Sequence, residues 1–338
     1  MVAVLAKFSV LEFSGKALAC KWDCIWYRTI MTSGYQASSQ PIIPDKAANW
    51  AFFPLFPLLA KCLSILFGLT PERSLLFTSK LLLLPTIYFF MLYAQRLFGA
   101  GFGIRAGLLL TFNPAIIYAH TGYTETLYSL LTTLAFFCLE RRQWILAGVL
   151  GGFLSAVRVV GIIFILPFLM RWKSAQMDTI NIKKKYLLGL LLCPVGLVAF
   201  MWILYLRTGD PFAFMHIQAA WGRTMSNPVL VLTAGLRSGG WGAIYALTAL
   251  FAVFVSIWLW FRKFSAHSVF LAAAILIPLA TSLASMPRYL FWQMPLFVGV
   301  LDLIGRRASL FGIYLAMSSA MAAFMILSWL SGMKSYVT

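Results

Sequence analysis

Ionisable and amide side chains are scarce in this sequence, and most of them lie at the ends of apolar segments. Of 338 residues, 62% are hydrophobic and only nine are Asp or Glu, so each carboxylate is a candidate for chemistry. Ionisable groups at a membrane boundary cost free energy unless they are paired or hydrated, which makes them functional candidates by default. We therefore predict one outward-facing cavity built from Trp22-Asp23, residues 49–54, 112–114 and 120–125, Arg158, residues 207–212, and Pro287-Arg288-Tyr289.

The carboxylates divide into two groups by their neighbours. Glu140, Asp178 and Asp302 lie near basic clusters and are expected to be charge partners there. His120 and His216 lack partners at metal-ligand spacing, so local hydrogen bonding is favoured and no metal or cofactor is predicted. A reaction on the opposite face that needs a carboxylate base must use one of the other six, which are Glu12, Asp23, Asp45, Glu72, Glu125 and Asp210.

The elements that must position these side chains are membrane helices. Mean hydropathy is +0.87 and only 11% of the residues are charged, whereas about a quarter are charged in soluble domains. Apolar runs of about 20 residues, the length that crosses a bilayer, recur along the chain. The predicted fold class is all-α: a polytopic transmembrane helical bundle of about 10–11 spans, forming a single domain over residues 1–338.

The net charge of +18 could indicate binding to nucleic acid. The basic residues instead form short clusters between apolar runs, which is typical of cytoplasmic loops. Nucleic-acid binding is therefore disfavoured. The clearest clusters are Arg141-Arg142, Lys183-Lys184-Lys185, Arg262-Lys263 and Arg306-Arg307.

Hydrophobic periodicity and the positive-inside rule set the topology. The basic loops face the cytoplasm, so residues 20–70 form an outer-face loop with interfacial helical segments and 207–240 form a second one. The stretch 50–69 is interpreted as interfacial or re-entrant, because an ordinary span there would reverse everything that follows. The candidate spans are about 75–94, 105–120, 124–140, 143–157, 159–172, 186–206, 241–261, 267–285, 289–304 and 310–330.

Two features of the N-terminal part stay open. Residues 1–20 are interrupted by Lys7, Glu12 and Lys16, so a first transmembrane helix there is neither predicted nor excluded. Cys20 and Cys24 could share a helical face, but a disulfide between them is not favoured.

The order of several motifs resembles the PIG-V family, which comprises the second mannosyltransferase of GPI-anchor assembly and its bacterial relatives. The motifs extend from residue 22 to 289 and cover most of the chain. They are residues 22–27 (WDCIWY), 34–35 (GY), 51–57 (AFFPLFP), 112–115 (FNPA), 123–125 (YTE), 156–158 (AVR), 209–212 (GDPF) with Gln218 and Trp221, and 288–289 (RY).

This resemblance implies an inverting membrane glycosyltransferase of the clan-C type. Such an enzyme takes a hexose, usually mannose, from a polyprenyl or dolichyl phosphate and gives it to a lipid-linked or glycan acceptor on the luminal or periplasmic face. The chain is shorter than eukaryotic members and lacks their clear first helix, which favours a bacterial relative in the cytoplasmic membrane. An endoplasmic reticulum membrane is expected if the source is eukaryotic.

The resemblance assigns a role to one residue, and the chemistry of glycosyl transfer suggests roles for others. The family's catalytic aspartate matches Asp23, which would take the proton from the acceptor hydroxyl; the alternative is a helix N-cap. Arg158 and Arg288 would bind the donor phosphate, since guanidinium groups bind phosphate bidentately; the alternative is that they reach the lipid headgroups. Glu125 would contact a sugar hydroxyl or serve as the fallback base, or only compensate a helix dipole.

The remaining candidates would contact the sugar or the acceptor. Trp22 and Trp26 could stack on sugar faces and exclude water. Asp210 is expected mainly to form a turn, with acceptor binding second, and Asn113 mainly to end a helix before Pro114. Tyr123, Gln218, Trp221 and Tyr289 complete the set.

Two other functions fit the same composition. One is a clan-C transferase that moves arabinose, glucose or an aminosugar from a lipid phosphate. The other is a non-enzymatic lipid or sugar transporter. Transporters often show inverted repeats and polar residues at mid-membrane, whereas here no repeat stands out and the polar residues gather at one face.

Overall fold

The computed structural model describes residues 20–37, 47–172 and 179–331, and these residues fold into helices. None of them is in a β-strand, which confirms the all-α prediction. Short 3-10 turns lie at Asn49–Ala51, Ile116–His120, Val159–Phe164 and Ile217–Trp221. The described α-helices are α1 (Asp23–Ser33), α2 (Leu55–Phe67), α3 (Pro71–Phe98), α4 (Phe102–Thr111), α5 (Glu125–Glu140), α6 (Trp144–Val157), α7 (Ile165–Met170), α8 (Ile180–Leu192), α9 (Val195–Thr208), α10 (Ala213–His216), α11 (Pro228–Ser238), α12 (Gly240–Phe261), α13 (Ser265–Leu279), α14 (Met286–Leu290), α15 (Met294–Ile304) and α16 (Ala308–Leu330).

The hydrophobic segments lie where the sequence predicts them, since each of the ten predicted spans falls on one or more helices. Shorter apolar helices of 10–17 residues accompany the longest ones. Alone, these are shorter than the roughly 20 residues that cross the hydrocarbon core. By length and composition, four described segments could span a membrane, namely Pro71–Phe98, Ile180–Thr208, Gly240–Phe261 and Ala308–Leu330.

Several predicted spans have different boundaries in the structure. The span 105–120 is interrupted after Thr111, where α4 ends, and the 3-10 turn Ile116–His120 follows. The span 186–206 consists of α8 and α9, which meet at Pro194, where proline has no amide hydrogen to continue the helix. The span 267–285 ends at Leu279. The span 289–304 begins only at Met294, because Arg288 and Tyr289 belong to the separate short helix α14. The question of a first helix before Cys20 lies outside the described residues.

Helix α3 begins with several start signals that fix one end of the bundle. Thr70 accepts a hydrogen bond from the Arg73 amide, Pro71 occupies the first turn and Glu72 lies beside the helix N-terminus. Glu72 also pairs with Arg28 of α1 at 3.0 Å. The beginning of α3 is therefore tied to α1, the helix that starts at Asp23.

Glycines let α6 pack against α8 and α9 with backbone-to-backbone contact. A Cβ atom on Gly148 of α6 would lie 2.1 Å from the carbonyl oxygen of Gly189, and one on Gly196 would lie 2.1 Å from that of Gly152. Small residues four apart permit this approach in membrane bundles. The arrangement holds the C-terminal end of α6, and hence Arg158, against its neighbours.

The start of α1 contains a disulfide that the sequence did not favour. Cys20 and Cys24 are bonded, with Cα atoms 5.1 Å apart. Trp22 has a positive φ of 49°, which turns the chain immediately before α1. This turn brings Cys20 beside the first turn of the helix, and sequence spacing alone does not reveal it. The disulfide therefore brackets Asp23.

Candidate functional site

Four charged side chains from four parts of the chain form one connected network. Arg288 of α14 donates to Asp23 Oδ2 at 2.6 Å through one terminal nitrogen. Its Nε donates to Glu125 Oε1, and Arg158 donates to the same Glu125 oxygen. The structure thus brings together Asp23, Arg158 and Arg288, with Glu125 as the common partner of both arginines.

Asp23 occupies the first position of α1 and is the more accessible carboxylate of the network. Its side chain is 25% exposed, whereas that of Glu125 is fully buried. The N-cap is Trp22 and no side chain caps this helix, so the alternative role of Asp23 as an N-cap is wrong. The Asp23 amide instead donates to the Tyr123 hydroxyl at 3.3 Å, which ties the start of α1 to the turn before α5.

Glu125 lies in the first turn of α5, fully buried between the two guanidinium groups. At this position its negative charge compensates the helix dipole, which was the alternative role predicted from the sequence. It also forms ion pairs with both Arg158 and Arg288. Its second oxygen, Oε2, has no hydrogen-bond partner among the described residues. Because an acceptor hydroxyl cannot reach a fully buried carboxylate in this conformation, Glu125 is poorly placed to act as the fallback base.

Arg158 lies at a break between helical segments. Its backbone is extended (φ −155°, ψ 149°) between α6 and the turn Val159–Phe164. Gly161 makes this break possible, since a Cβ atom there would lie 2.1 Å from the Leu154 carbonyl oxygen. Arg158 also donates through Nε to the Thr124 hydroxyl at 2.8 Å, so the guanidinium is anchored to both residues that begin α5.

Arg288 is buried and covered by aromatic rings. Its guanidinium carbon lies 4.4 Å from the centre of the Tyr123 ring and 5.2 Å from that of Tyr118. Its side chain is only 6% exposed. The alternative in which Arg288 extends to the lipid headgroups is therefore wrong.

Tyr289 joins three arginines at this end of the bundle. The guanidinium carbons of Arg158, Arg223 and Arg288 lie 5.6, 5.7 and 5.8 Å from the centre of its ring. Desolvation raises the pKa of the Tyr289 phenol, but the positive charges of Arg223, Arg288 and Arg158 outweigh it and lower the pKa below its usual value.

Arg223 is the residue that sequence reasoning missed. It follows the motif residues Gln218 and Trp221 and is held by Gln218, whose side-chain oxygen is 3.5 Å from its guanidinium. No carboxylate pairs with Arg223 in the part of the chain that the structure describes. Its position two residues after the motif residue Trp221 is the one sequence feature that could have indicated a role for Arg223. Its contact with Tyr289 becomes visible only in the folded structure.

An aromatic group lies beside the network. Trp26 stacks on Phe52 with ring centres 5.8 Å apart, and both rings meet Trp221 edge-on at 6.1 Å. The group joins α1 to the turns Asn49–Ala51 and Ile217–Trp221. Trp22 is not part of this group and packs edge-on against Trp329 of α16 at 4.3 Å.

Two other residues that the sequence predicts as sugar or acceptor contacts form hydrogen bonds within the protein instead. Asn113 is fully buried; it donates to the Phe291 carbonyl at 2.6 Å and accepts from the Ala115 amide at 2.8 Å, which positions α14. Asp210 accepts from the Phe212 amide at 2.8 Å and lies 2.7 Å from His216 Nδ1, which agrees with a turn. Neither residue contacts the charged network.

On the opposite side, Asp302 pairs with Arg262 at 2.8 Å as predicted. Glu140 does not pair with Lys or Arg among the described residues: it accepts from the Tyr93 hydroxyl at 2.8 Å. The expectation that Glu140 is a charge partner of basic residues holds through space, because Arg171 and Arg96 act on it electrostatically without a described ion pair. Asp178, Glu12 and Asp45 lie outside that part.

Comparison with solved structures agrees with this fold. Two crystal structures of ArnT from Cupriavidus metallidurans, one in the apo state and one bound to undecaprenyl phosphate, each superpose with a TM-score of 0.54. They cover 99% of this chain and 73–74% of theirs at 16–17% identity, so the likeness concerns the fold. The chain is thus an integral membrane protein with the helical architecture of ArnT.

The sequence comparison identifies the family. The profile of the family described as mannosyltransferase (PIG-V) matches residues 9–216, and the chain belongs to this family. GPI alpha-1,6-mannosyltransferase 2 from Homo sapiens is 35% identical over 164 residues, which are 44% of this chain and 30% of that protein. The Rattus norvegicus protein is 29% identical over 211 residues, 59% of this chain and 40% of its own length. The chain therefore spans less than half the length of these curated relatives.

The shared carboxylate leads to a prediction about stability. Replacing Glu125 by Gln leaves Arg158 without a described carboxylate partner and the buried Arg288 with Asp23 alone, and breaking a buried ion pair typically costs about 3–5 kcal/mol. We expect Glu125→Gln to lower the thermal unfolding midpoint of the purified protein strongly. Glu72→Gln is the matched control, because its partner Arg28 is 43% exposed and such pairs contribute about 0–1 kcal/mol. Equally small shifts of the unfolding midpoint in both variants would contradict the role of Glu125 as the common partner of the two arginines.

Proposed function

We propose that this protein is an inverting glycosyltransferase that moves a hexose, favouring mannose, from a polyprenyl or dolichyl phosphate to a lipid-linked or glycan acceptor. The observation that carries the proposal is one accessible carboxylate, Asp23, beside an arginine group that is only partly neutralised. Family membership supports the sugar. The fold shared with ArnT, which was solved bound to undecaprenyl phosphate, supports the lipid phosphate.

Asp23 acts as the base in this proposal. Its carboxylate accepts the proton of an acceptor hydroxyl while the hydroxyl oxygen forms a bond to the anomeric carbon. The bond between that carbon and the phosphate oxygen breaks, and the lipid phosphate leaves with the electron pair. Attack from the face opposite the leaving group inverts the anomeric centre. Arg288 fixes the position of one Asp23 oxygen and leaves the other for the acceptor.

Arg223 is the arginine best suited to the leaving phosphate. Asp23 and Glu125 balance the charges of Arg158 and Arg288, whereas Arg223 adds a positive charge without a described carboxylate partner. The donor is a phosphate diester with about one negative charge, and the leaving monoester gains a second as the bond breaks. A preorganised cation stabilises charge that develops in the transition state. Arg158, whose side chain is 14% exposed, would share the contact.

Two observations support a non-cytoplasmic position for this site. The disulfide Cys20–Cys24 adjoins Asp23, and disulfides persist in oxidising compartments. The basic residues Arg96, Arg171 and Lys263 lie around Glu140, at the other end of α5 from Glu125, and the positive-inside rule assigns such residues to the cytoplasm. In this topology, residues 20–70 form the catalytic outer loop and 207–240 the second outer loop.

A transferase for another lipid-phosphate sugar is the second candidate. The aromatic group of Trp26, Phe52 and Trp221 would stack on any hexose or pentose ring, so it does not favour one sugar. A transporter is less well supported, because the network lies at one end of the helices and a buried ion-pair network closes around Glu125.

The role of Asp23 is tested with Asp23→Asn. The amide cannot take up the acceptor proton, so we expect the transfer rate to fall by roughly 10²- to 10⁴-fold. The thermal unfolding midpoint should fall less than in Glu125→Gln, because Asp23 is 25% exposed and Arg288 keeps Glu125 as a partner. Rates are measured with polyprenyl-phosphate mannose, glucose and arabinose, and their ratio in the wild type identifies the donor.

Asp210→Asn is the control for this experiment, because asparagine keeps an oxygen that accepts from the Phe212 amide. It should retain most of the activity. Normal activity of Asp23→Asn would exclude Asp23 as the base, and absence of transfer by the wild type from every lipid-phosphate sugar would exclude the proposed reaction.

The role of Arg223 is tested with Arg223→Gln and Arg223→Lys. Loss of a charged hydrogen bond to phosphate costs about 1.5–3 kcal/mol, so we expect kcat/KM for the donor to fall roughly 10- to 100-fold in the glutamine variant. Lysine should restore part of this loss. The exposed Arg207 on the same outer loop supplies the control Arg207→Gln. If both glutamine variants behave alike, Arg223 does not bind the phosphate.

A further inference from the structure

A second polar cavity opens at the far end of the bundle. It has a volume of about 590 Å³ and lies where α3 and α5 end and α12 turns into α13. Glu140 in its wall and Glu125 of the charged network are fifteen residues apart on the same helix, which corresponds to about 22 Å at 1.5 Å per residue. The cavity is therefore separate from the site that contains Asp23.

Three cations line this cavity without a direct ion pair to a described carboxylate. Arg96, Arg171 and Lys263 take part in no ion pair within the described ranges. The Nε atom of Arg171 is buried and has no hydrogen-bond partner there. A buried polar atom without a partner destabilises the protein, and a ligand that accepts from Arg171 would remove this cost.

The single carboxylate of the cavity is held by neutral donors. Tyr93 has one hydroxyl proton and donates it to Glu140 at 2.8 Å. The contact of 2.6 Å between the Tyr93 oxygen and His267 Nε2 then requires that His267 donates. Glu140 thus receives its hydrogen bond from Tyr93, which in turn accepts one from His267, and not from a cation. The cavity keeps three positive charges against one negative charge.

We propose that this cavity, the Glu140 cavity, binds a phosphate-bearing anion at the end of the protein opposite the Asp23 site. Arginine suits phosphate because its guanidinium donates two parallel hydrogen bonds, and Arg96 and Arg171 are available for this contact. A cavity of this volume lies in the range of small-molecule sites and exceeds the size of one phosphate group. Basic pockets between membrane helices on the cytoplasmic side also bind phosphorylated lipid headgroups. The ligand group is the same whether it belongs to a lipid or to a soluble phosphate.

The test uses the full-length protein in phosphatidylcholine nanodiscs. The thermal unfolding midpoint is measured against increasing concentrations of phosphatidic acid in one arm and inorganic pyrophosphate in the other. A ligand that binds only the folded state raises the midpoint saturably. Stabilisation by both probes identifies the phosphate group as sufficient, and stabilisation by phosphatidic acid alone identifies a lipid headgroup. Saturable stabilisation by neither probe would overturn the proposal.

Variants show whether the cavity itself binds the probe. For Arg171→Gln combined with Lys263→Gln we expect a Kd at least tenfold higher, since each charged hydrogen bond contributes about 1.5–3 kcal/mol. Lys263→Gln alone, at an exposed position, should show part of this loss if the double variant does not fold. Glu140→Gln should lower the Kd, because it removes the one negative charge.

The matched control is Arg306→Gln combined with Arg307→Gln, which removes the same charge beside α15, outside the cavity lining. Its Kd should stay close to that of the wild type. An equal loss of affinity in both double variants would attribute binding to the general positive charge of this end and would overturn the proposal. None of these measurements depends on the transfer reaction, so their outcome is independent of the proposed function.

Discussion

The buried carboxylate of Glu125 is the constraint on which the site depends. A single oxygen receives both Arg158 and Arg288, and these arginines come from chain segments that are 130 residues apart. Without this anion, the guanidinium groups of Arg158 and Arg288 would lie close together in a largely buried site at a high electrostatic cost. With it, Arg288 can extend one terminal nitrogen to Asp23 and hold that carboxylate in place. Because these contacts are short, the position of α5 fixes the positions of α1, α14 and the end of α6.

The supporting elements explain why the network has one geometry. Asn113 bonds to the backbone after α14, Gly161 allows the chain to break at Arg158, and the Tyr123 hydroxyl receives the Asp23 amide. None of these contacts performs chemistry in our account, but each restricts one member of the network. This restriction is what a transferase needs, because the base and the phosphate ligands must keep a fixed separation while charge moves to the leaving group.

Much of the helical arrangement could be predicted because long apolar runs mark helices independently of tertiary structure. The features that could not be predicted are those that depend on the local backbone geometry. The predicted spans 143–157 and 159–172 place a boundary at Arg158, but its extended backbone and the close approach at Gly161 were not predicted. The disulfide depends on the positive φ of Trp22. Asp23, Glu125, Arg158 and Arg288 all lie in the motifs that carry the resemblance, whereas Arg223 lies in none of them. The pairing of Glu125 with both arginines, the contact of Arg223 with Tyr289 and the hydrogen bond between Tyr93 and Glu140 join residues that are distant in sequence. No periodicity or spacing encodes such pairings.

The most direct test of this account is an experimental structure of the protein with a polyprenyl phosphate bound. We predict phosphate density within hydrogen-bond distance of Arg223 and Arg158, over Tyr289, on the same side as the Asp23 carboxylate. Glu125 should still bridge Arg158 and Arg288. Phosphate density away from these arginines, or an Asp23 carboxylate that faces away from the phosphate, would contradict the arrangement on which the proposed reaction rests.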